Sequence, residues 1–146
     1  MDIRRMERKD VPKAAELEKR IFSDAWSQDG FYESLENPNA VLIAAFEDET
    51  LTGYCCLYEA LDEGEIVNVA VAPEFRKKGI AKTMLEVLFE KECRKEISSF
   101  FLEVREHNRA AVSLYEKFGF KIVGKRKNFY EKPVEDAFIM QKIRKV

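Results

Sequence analysis

Little in this chain commits it to metal, disulfide or nucleotide-fold chemistry. Its cysteines number three, Cys55, Cys56 and Cys93, an odd count with no C-x-x-C spacing. Neighbours on a strand point to opposite faces, so Cys55 and Cys56 support neither a disulfide framework nor a zinc site. Buried free thiols and no metal are expected. There is one histidine, His107, and one tryptophan, Trp26. Glycines are few, six in 146 residues. Gly79 is followed neither by the Lys-Ser/Thr pair of a Walker loop nor by the further glycines of a dinucleotide fingerprint.

Charge of one sign is missing too. The 25 basic and 27 acidic side chains leave a formal charge of −2, so no global field recommends nucleic acid or an anionic membrane as a partner. No apolar run approaches the roughly 18 residues of a membrane span, and Met1-Asp2-Ile3-Arg4-Arg5 lacks the apolar core of a secretion signal. A cytoplasmic location is expected. With 46% hydrophobic and 12% aromatic residues, and no repeat, linker or low-complexity tract, the chain reads as one domain over residues 1–146.

Ile3 to Met6 reads as a first strand. Asp10-Val11-Pro12 then gives a cap and an early proline that open a helix through about Phe22, with Ala14, Leu17 and Ile21 as its apolar stripe. The stretch from Phe22 to Phe31 breaks that rhythm, carries Trp26, and leads into a short helix near Asp29 to Glu36. Val41 to Glu47, Thr52 to Glu59 and Glu63 to Ala72 form an antiparallel meander joined by tight polar turns. From Gly79 to about Cys93 the pattern is helical, with Ile80, Met84, Leu88 and Phe89 on one face. Phe100 to Val104 is a strand, and Asn108 to Phe118 a helix ended by Gly119. Phe120 to Gly124 and Ala137 to Gln141 are two closing strands, joined through an irregular loop at Asn128 to Pro133. The result is a mixed α+β sheet with helices on both sides. Its segments Glu63–Ala72 and Phe100–Val104, linked by a crossover helix, are parallel neighbours with a cofactor at their carboxyl ends.

The most informative segment is Arg76-Lys77-Lys78-Gly79-Ile80-Ala81, after the apolar run Ile66 to Pro73. A strand that ends at a proline, crosses a basic glycine turn and enters a helix leaves several backbone N–H groups unpaired and aligned. With the helix dipole and three cationic side chains, that is a cradle for a phosphate or pyrophosphate.

Basic-x-x-Gly-x-Ala after a Val-rich strand resembles the acetyl-CoA signature of the GNAT N-acetyltransferases. A second segment, from Leu102-Glu103-Val104 through Asn108, Ala111 and Leu114-Tyr115 to Gly119-Phe120, resembles the carboxyl half of the same family. Glu-Val-Arg at 103–105, Asn68-Val69-Ala70-Val71-Ala72 and the ending Asn128-Phe129-Tyr130 with Glu135 to Met140 look like its ribosomal-protein-alanine N-acetyltransferases, the RimI type. The likeness runs from about Asp2 to Met140.

That resemblance implies the GNAT fold, a central, mostly antiparallel twisted sheet flanked by helices with a parallel strand pair at the cofactor cleft. It implies acetyl-CoA as co-substrate, without a metal. Glu103 is the implied base and Tyr115 the implied acid, roles consistent with a carboxylate acting on an amine of pKa about 8 and a phenol of pKa near 10 protonating a thiolate. Val69, Ala70 and Val71 match the strand that pairs with the pantetheine amides. Arg76, Lys77, Lys78, Gly79, Ile80, Ala81 and Lys82 match the pyrophosphate turn, and Asn108 a cofactor contact. Trp26 and Tyr130 wall the acceptor side. There Phe22 to Ser27 resembles the family's Phe-Pro-Trp-Ser loop, with Ala25 in place of the proline. Glu33, Glu36 and Glu135 are candidates to attract a basic peptide, and His107 is a surface residue. The implied reaction acetylates the N-terminal alanine of the eighteenth protein of the small ribosomal subunit. A broader acetyltransferase for protein N-termini or small amines, and a silent acetyl-CoA-binding sensor, remain open alternatives.

Overall fold

Alternating and continuous apolar runs build seven strands, and the computed structural model describes residues 1–144. In chain order these are β1 (Asp2–Arg5), α1 (Val11–Ile21), α2 (Gln28–Glu36), β2 (Ala40–Glu47), β3 (Thr50–Ala60), β4 (Glu63–Val71), α3 (Ile80–Val87), β5 (Ser99–Arg105), α4 (Arg109–Lys117), β6 (Lys121–Glu131) and β7 (Val134–Ile143). The strand order is β1-β2-β3-β4-β5-β7-β6. The chain divides into two units, Met1–Tyr58 with Asn68–Cys93, and Glu59–Val67 with Arg94–Val146, so β4 contributes to both.

In the first unit β1 pairs antiparallel with β2 from Asp2↔Phe46 to Arg5↔Ile43, and β2 with β3 from Ala40↔Tyr58 to Glu47↔Thr50. The Ala72 N–H donates to the Thr52 carbonyl at 2.8 Å. Val41 to Phe46 are all buried, which is why β2 reads as an unbroken apolar run. Val11, Ala14, Ala15 and Leu17 of α1, Phe31 of α2, and Ile80, Met84 and Leu85 of α3 complete that core. Cys55, Cys56 and Cys93 are free and buried, as expected, and burial pushes the Cys55 thiol up to about 12.

In the second unit β4 and β5 are parallel from Glu63↔Ser99 to Ile66↔Leu102, as the crossover predicts. β5 pairs antiparallel with β7 from Ser99↔Ile143 to Arg105↔Ala137, and β7 with β6 out to Glu131↔Val134. Phe100, Leu102, Val104, Phe120, Ala137 and Met140 form the core there.

One sequence expectation needs correction, and two others hold with a refinement. The segment from Asn128 to Glu131 belongs to strand β6 and is not a loop; only Lys132 and Pro133 make the connection. The ladder slips between Arg126 and Tyr130, with Asn128 at φ 52° and its N–H donating to Asp136 at 2.9 Å, so a bulge mimics irregular sequence. Asp10 stands at the start of α1, yet its carboxylate turns away from that helix. It accepts from the Glu7 N–H at 2.8 Å and from Nη1 and Nη2 of Arg4 at 2.8 and 3.1 Å. The helix after Gly79 runs on to Glu92, as the sequence predicts, but after Val87 it widens into a π-type turn over Leu88–Glu92, with the Cys93 N–H donating to the Leu88 carbonyl at 2.9 Å. The widening keeps Leu88, Phe89 and Cys93 all on the buried side. No helix among the described residues is long and apolar enough to cross a membrane. Among them no group of three or more His, Cys, Asp or Glu is placed to hold a metal ion.

Candidate functional site

The glycine turn lies in the first unit. Gly79 precedes α3 with φ 78°, a left-handed conformation that costs a side-chain-bearing residue strain although nothing stands within 4 Å of the space its Cβ would fill. Among the described residues, the first N–H of the helix to find a carbonyl is that of Thr83, 3.0 Å from the Gly79 oxygen. The earlier amides of Ile80, Ala81 and Lys82 therefore keep the aligned donors expected at a helix start. Lys77 is also left-handed, at φ 64°. Arg76 donates from Nε to the Val71 carbonyl at 3.1 Å, tying the turn to the end of β4, and the Lys78 ammonium sits 5.2 Å from the Phe75 ring centre.

Val69, Ala70 and Val71 lie on β4 beyond its four-residue ladder with β5. A residue that the sequence did not single out supports this stretch from β3. A Cβ on Gly53 would stand 2.7 Å from the Ala70 carbonyl oxygen, so the close approach of the two backbones requires glycine.

Trp26, half-buried in the loop after α1, is held through both its backbone and its ring within the first unit. Its N–H donates to Glu18 Oε2 at 3.0 Å, and its ring meets Phe31 edge-on at 5.3 Å. Phe31 in turn meets Tyr54 at 5.4 Å. Tyr54 closes the circuit by donating its hydroxyl to Glu18 Oε1, which also accepts from Asn68 Nδ2 at 3.0 Å. Burial pushes the Glu18 carboxyl up, and these three donors oppose that shift. Burial and then the Glu18 charge push the Tyr54 phenol up as well. Glu18 went unnoticed in the sequence, although a carboxylate four residues after Ala14 and seven after Val11 is misplaced on an apolar stripe. Beside Trp26 a cavity of about 420 Å³ is lined by Ser27, Gly30, Glu33, Ser34 and Tyr58. Ser27 caps α2 through Gly30 N–H at 3.1 Å.

The second unit holds Glu103, Tyr115, Asn108 and Tyr130. Glu103 is on β5 opposite Ile139, and its side chain is 18% exposed. Its Oε2 is buried and has no hydrogen-bond partner among the described residues, the nearest cation being Arg126 Nε at 3.6 Å. Burial, then the Glu103 charge, hold the Glu65 carboxyl above its ordinary range. The same two causes push the Tyr130 phenol up to about 12. Tyr130 stacks under the Arg105 guanidinium at 4.2 Å and meets Phe129 at 5.0 Å. Tyr115, 8% exposed on α4, packs edge-on against Phe120 at 5.8 Å. Asn108 caps α4, accepting the Ala111 N–H at 3.2 Å.

Of the acidic candidates for a basic peptide, Glu33 lines the cavity, Glu36 pairs with Arg8 at 3.2 Å, and Glu135 is engaged internally. Glu135 accepts from the His107 N–H at 2.9 Å and from Arg105 Nη1 at 3.1 Å, and lies 3.1 Å from the His107 Nδ1. The His107 amide and the Arg105 charge hold its carboxyl below the usual carboxylate range. His107 is exposed, as expected.

A family model described as the acetyltransferase (GNAT) family matches residues 11–120. The chain belongs to the GNAT acetyltransferase family. It is 37% identical over 139 residues to a Bacillus subtilis (strain 168) protein provisionally named a [ribosomal protein bS18]-alanine N-acetyltransferase, covering 94% of this chain and 92% of the relative. The crystal structure of the ribosomal-protein-S18-alanine N-acetyltransferase of Escherichia coli superposes with a TM-score of 0.90 at 28% identity, over 99% of this chain and 94% of that one. The PaiA N-acetyltransferase of Thermoplasma acidophilum, solved in complex with coenzyme A, shares the fold at a TM-score of 0.79 and 23% identity, over 98% of each chain. The mixed sheet with one parallel pair is thus the GNAT sheet, and the chain is a GNAT enzyme of the RimI type.

Proposed function

We propose that this chain moves the acetyl group of acetyl-CoA directly to the α-amino group of the N-terminal alanine of ribosomal protein bS18, as one acetyltransferase domain acting in the cytoplasm. The observation that carries the chemistry is the buried Glu103 Oε2, a carboxylate oxygen that Arg126 approaches only to 3.6 Å and that has no hydrogen-bond donor among the described residues. Such an oxygen is costly unless something supplies a hydrogen bond, and an incoming ammonium or its bridging water would do so. Glu103 takes the proton that the amine must lose. The amine nitrogen then bonds to the thioester carbon, the carbon–sulfur bond breaks with its electron pair on sulfur, Tyr115 protonates the thiolate, and the second proton shed by the nitrogen restores the Tyr115 phenol. A backbone N–H of Val69–Val71 steadies the developing oxyanion while the strand receives the pantetheine amides. The basic turn from Arg76 to Lys82 receives the pyrophosphate, and Asn108 adds a cofactor contact. Trp26 and Tyr130 orient the peptide.

The names carried by the two RimI-type relatives, matched over nearly their whole lengths, support this acceptor. Ala25, where the resemblance expects proline, favours a second reading in which the loop admits other N-termini or small amines. Mass spectrometry of purified small-subunit ribosomal proteins, before and after incubation with the enzyme and acetyl-CoA, separates the two. A 42-dalton gain on the N-terminal alanine of bS18 alone supports the proposal (about the mass of one acetyl group). Acetylation spread over many N-termini or lysines supports the second reading, and none at all favours a silent sensor.

A further inference from the structure

Glu18 is 2% exposed on the inward face of α1, and no cation among the described residues forms an ion pair with it. A buried carboxylate without a counter-ion has to be met by dipoles. Here the donors come from three separate elements: the Trp26 N–H at 3.0 Å from the loop after α1, the Tyr54 hydroxyl from β3, and Asn68 Nδ2 at 3.0 Å from β4. An apolar side chain at the same stripe position would bury as well and leave no charge to compensate. What the carboxylate adds is a fixed geometry. It locks the Trp26 backbone to Asn68, the residue directly before Val69, and the ring contacts Trp26–Phe31–Tyr54 brace the same circuit from the other side.

We propose that Glu18 is a positioning residue for acetyl transfer, holding the Trp26 loop in the geometry that orients the amino terminus of the acceptor peptide. This rests on the role given to Trp26 above. The loop has no proline at 25 to stiffen it, so the tether falls to Glu18.

Trp26 is the only tryptophan in the chain, so indole fluorescence excited beyond the tyrosine absorption band reports this loop alone. Glu18→Met keeps an unbranched chain of similar length and removes both acceptor oxygens. Acrylamide quenching of Trp26 should then rise about twofold or more. With a short peptide beginning Ala-Arg, KM for the peptide should rise about tenfold while KM for acetyl-CoA stays within about twofold. Glu18→Gln should recover most of both effects. Its amide oxygen can take the Trp26 N–H while the Tyr54 hydroxyl and the Asn68 amide turn to accept from its nitrogen. Parental quenching in Glu18→Met, equal rises in both KM values, or a Gln variant no better than Met would overturn the proposal. The quenching arm needs no acceptor, so an unaltered enzyme that ignores the peptide refutes the acceptor assignment and leaves the tether to be judged by fluorescence. Should Glu18→Met fail to fold, hydrogen exchange on the unaltered protein decides: a Trp26 amide protected beyond those of Asp24 and Ala25 supports the tether, and an unprotected one overturns it.

Discussion

Gly53→Ala adds one methyl group where β3 lies close against the Val69–Val71 stretch of β4. Its Cβ would lie 2.7 Å from the Ala70 carbonyl oxygen, 3.2 Å from Met84 Cε and 3.4 Å from Val71 Cγ2. The Met84 methyl can swing aside, since three rotatable bonds precede it. The Ala70 carbonyl cannot, because it belongs to the backbone of a buried strand residue. Relief therefore requires Ala70 to move by about half an ångström, toward an ordinary carbon–oxygen contact. Overpacking of this kind costs about 1–3 kcal/mol, against about 0.4–1 kcal/mol gained by restricting the unfolded chain. A net loss of about 1–2 kcal/mol lowers the melting midpoint of a chain this long by about 2–8 °C. Because Ala70 lies between the two valines proposed to pair with pantetheine, KM for acetyl-CoA should rise severalfold with KM for the peptide unchanged. Calorimetry and initial rates against each substrate read both effects. A midpoint within about 1 °C of the parent, or a rise confined to peptide KM, would refute the reasoning.

Glu103→Gln preserves size but cannot take the proton, so turnover at neutral pH should fall by about two to four powers of ten and recover in part above about pH 8, as free amine accumulates. A pH–rate profile superimposable on the parent's would remove Glu103 from the mechanism. Tyr115→Phe keeps the ring on Phe120 and should lower turnover about a hundredfold; near-normal turnover would mean that another group protonates the thiolate. Desolvation works against the Asp10 carboxylate, but Arg4 and the Glu7 amide outweigh it and hold its pKa below the ordinary 3.8. Its contribution is therefore fully present above that value and is lost as pH falls through the lower folded one. Asp10→Asn should cost about 1–3 kcal/mol at neutral pH and flatten the acid limb of the stability curve, whereas parallel acid limbs in the two proteins would contradict the assignment.

The elements easiest to read from the residues were those whose periodicity and punctuation agree. Pro73, the basic run and Gly79 marked the turn before α3, and Ala111, Leu114 and Tyr115 gave α4 its inward stripe. The parallel pairing of β4 with β5 followed from a helix between two strands. The bulge in β6 was hidden because Lys127, Asn128 and Phe129 leave the ladder, and a strand stripped of its period for three residues looks like a loop. Asp10 takes the cap position that the sequence predicts without making the capping bond, because the cap and an arginine compete for one carboxylate and Arg4 lies on a different element. Glu18 and Gly53 were missed for a related reason. Each is explained by what faces it across the fold, Tyr54 and Asn68 for one and Ala70 for the other, and no local pattern encodes a partner 17 to 50 residues away. Glu33 and Glu135 show the converse, since composition made them equal candidates and only Glu135 turned out to be tied to Arg105 and His107.

Initial rates on a peptide panel test the acceptor claim most directly. The panel varies the first and second residues, and includes an internal-lysine peptide and spermidine. If Trp26 and Tyr130 orient a peptide amine for Glu103, the peptide beginning Ala-Arg should exceed the internal lysine and the polyamine in kcat/KM by about a hundredfold or more, because positioning of the attacking nitrogen sets the discrimination. Indifference to the first residue, or preference for spermidine, would contradict the account.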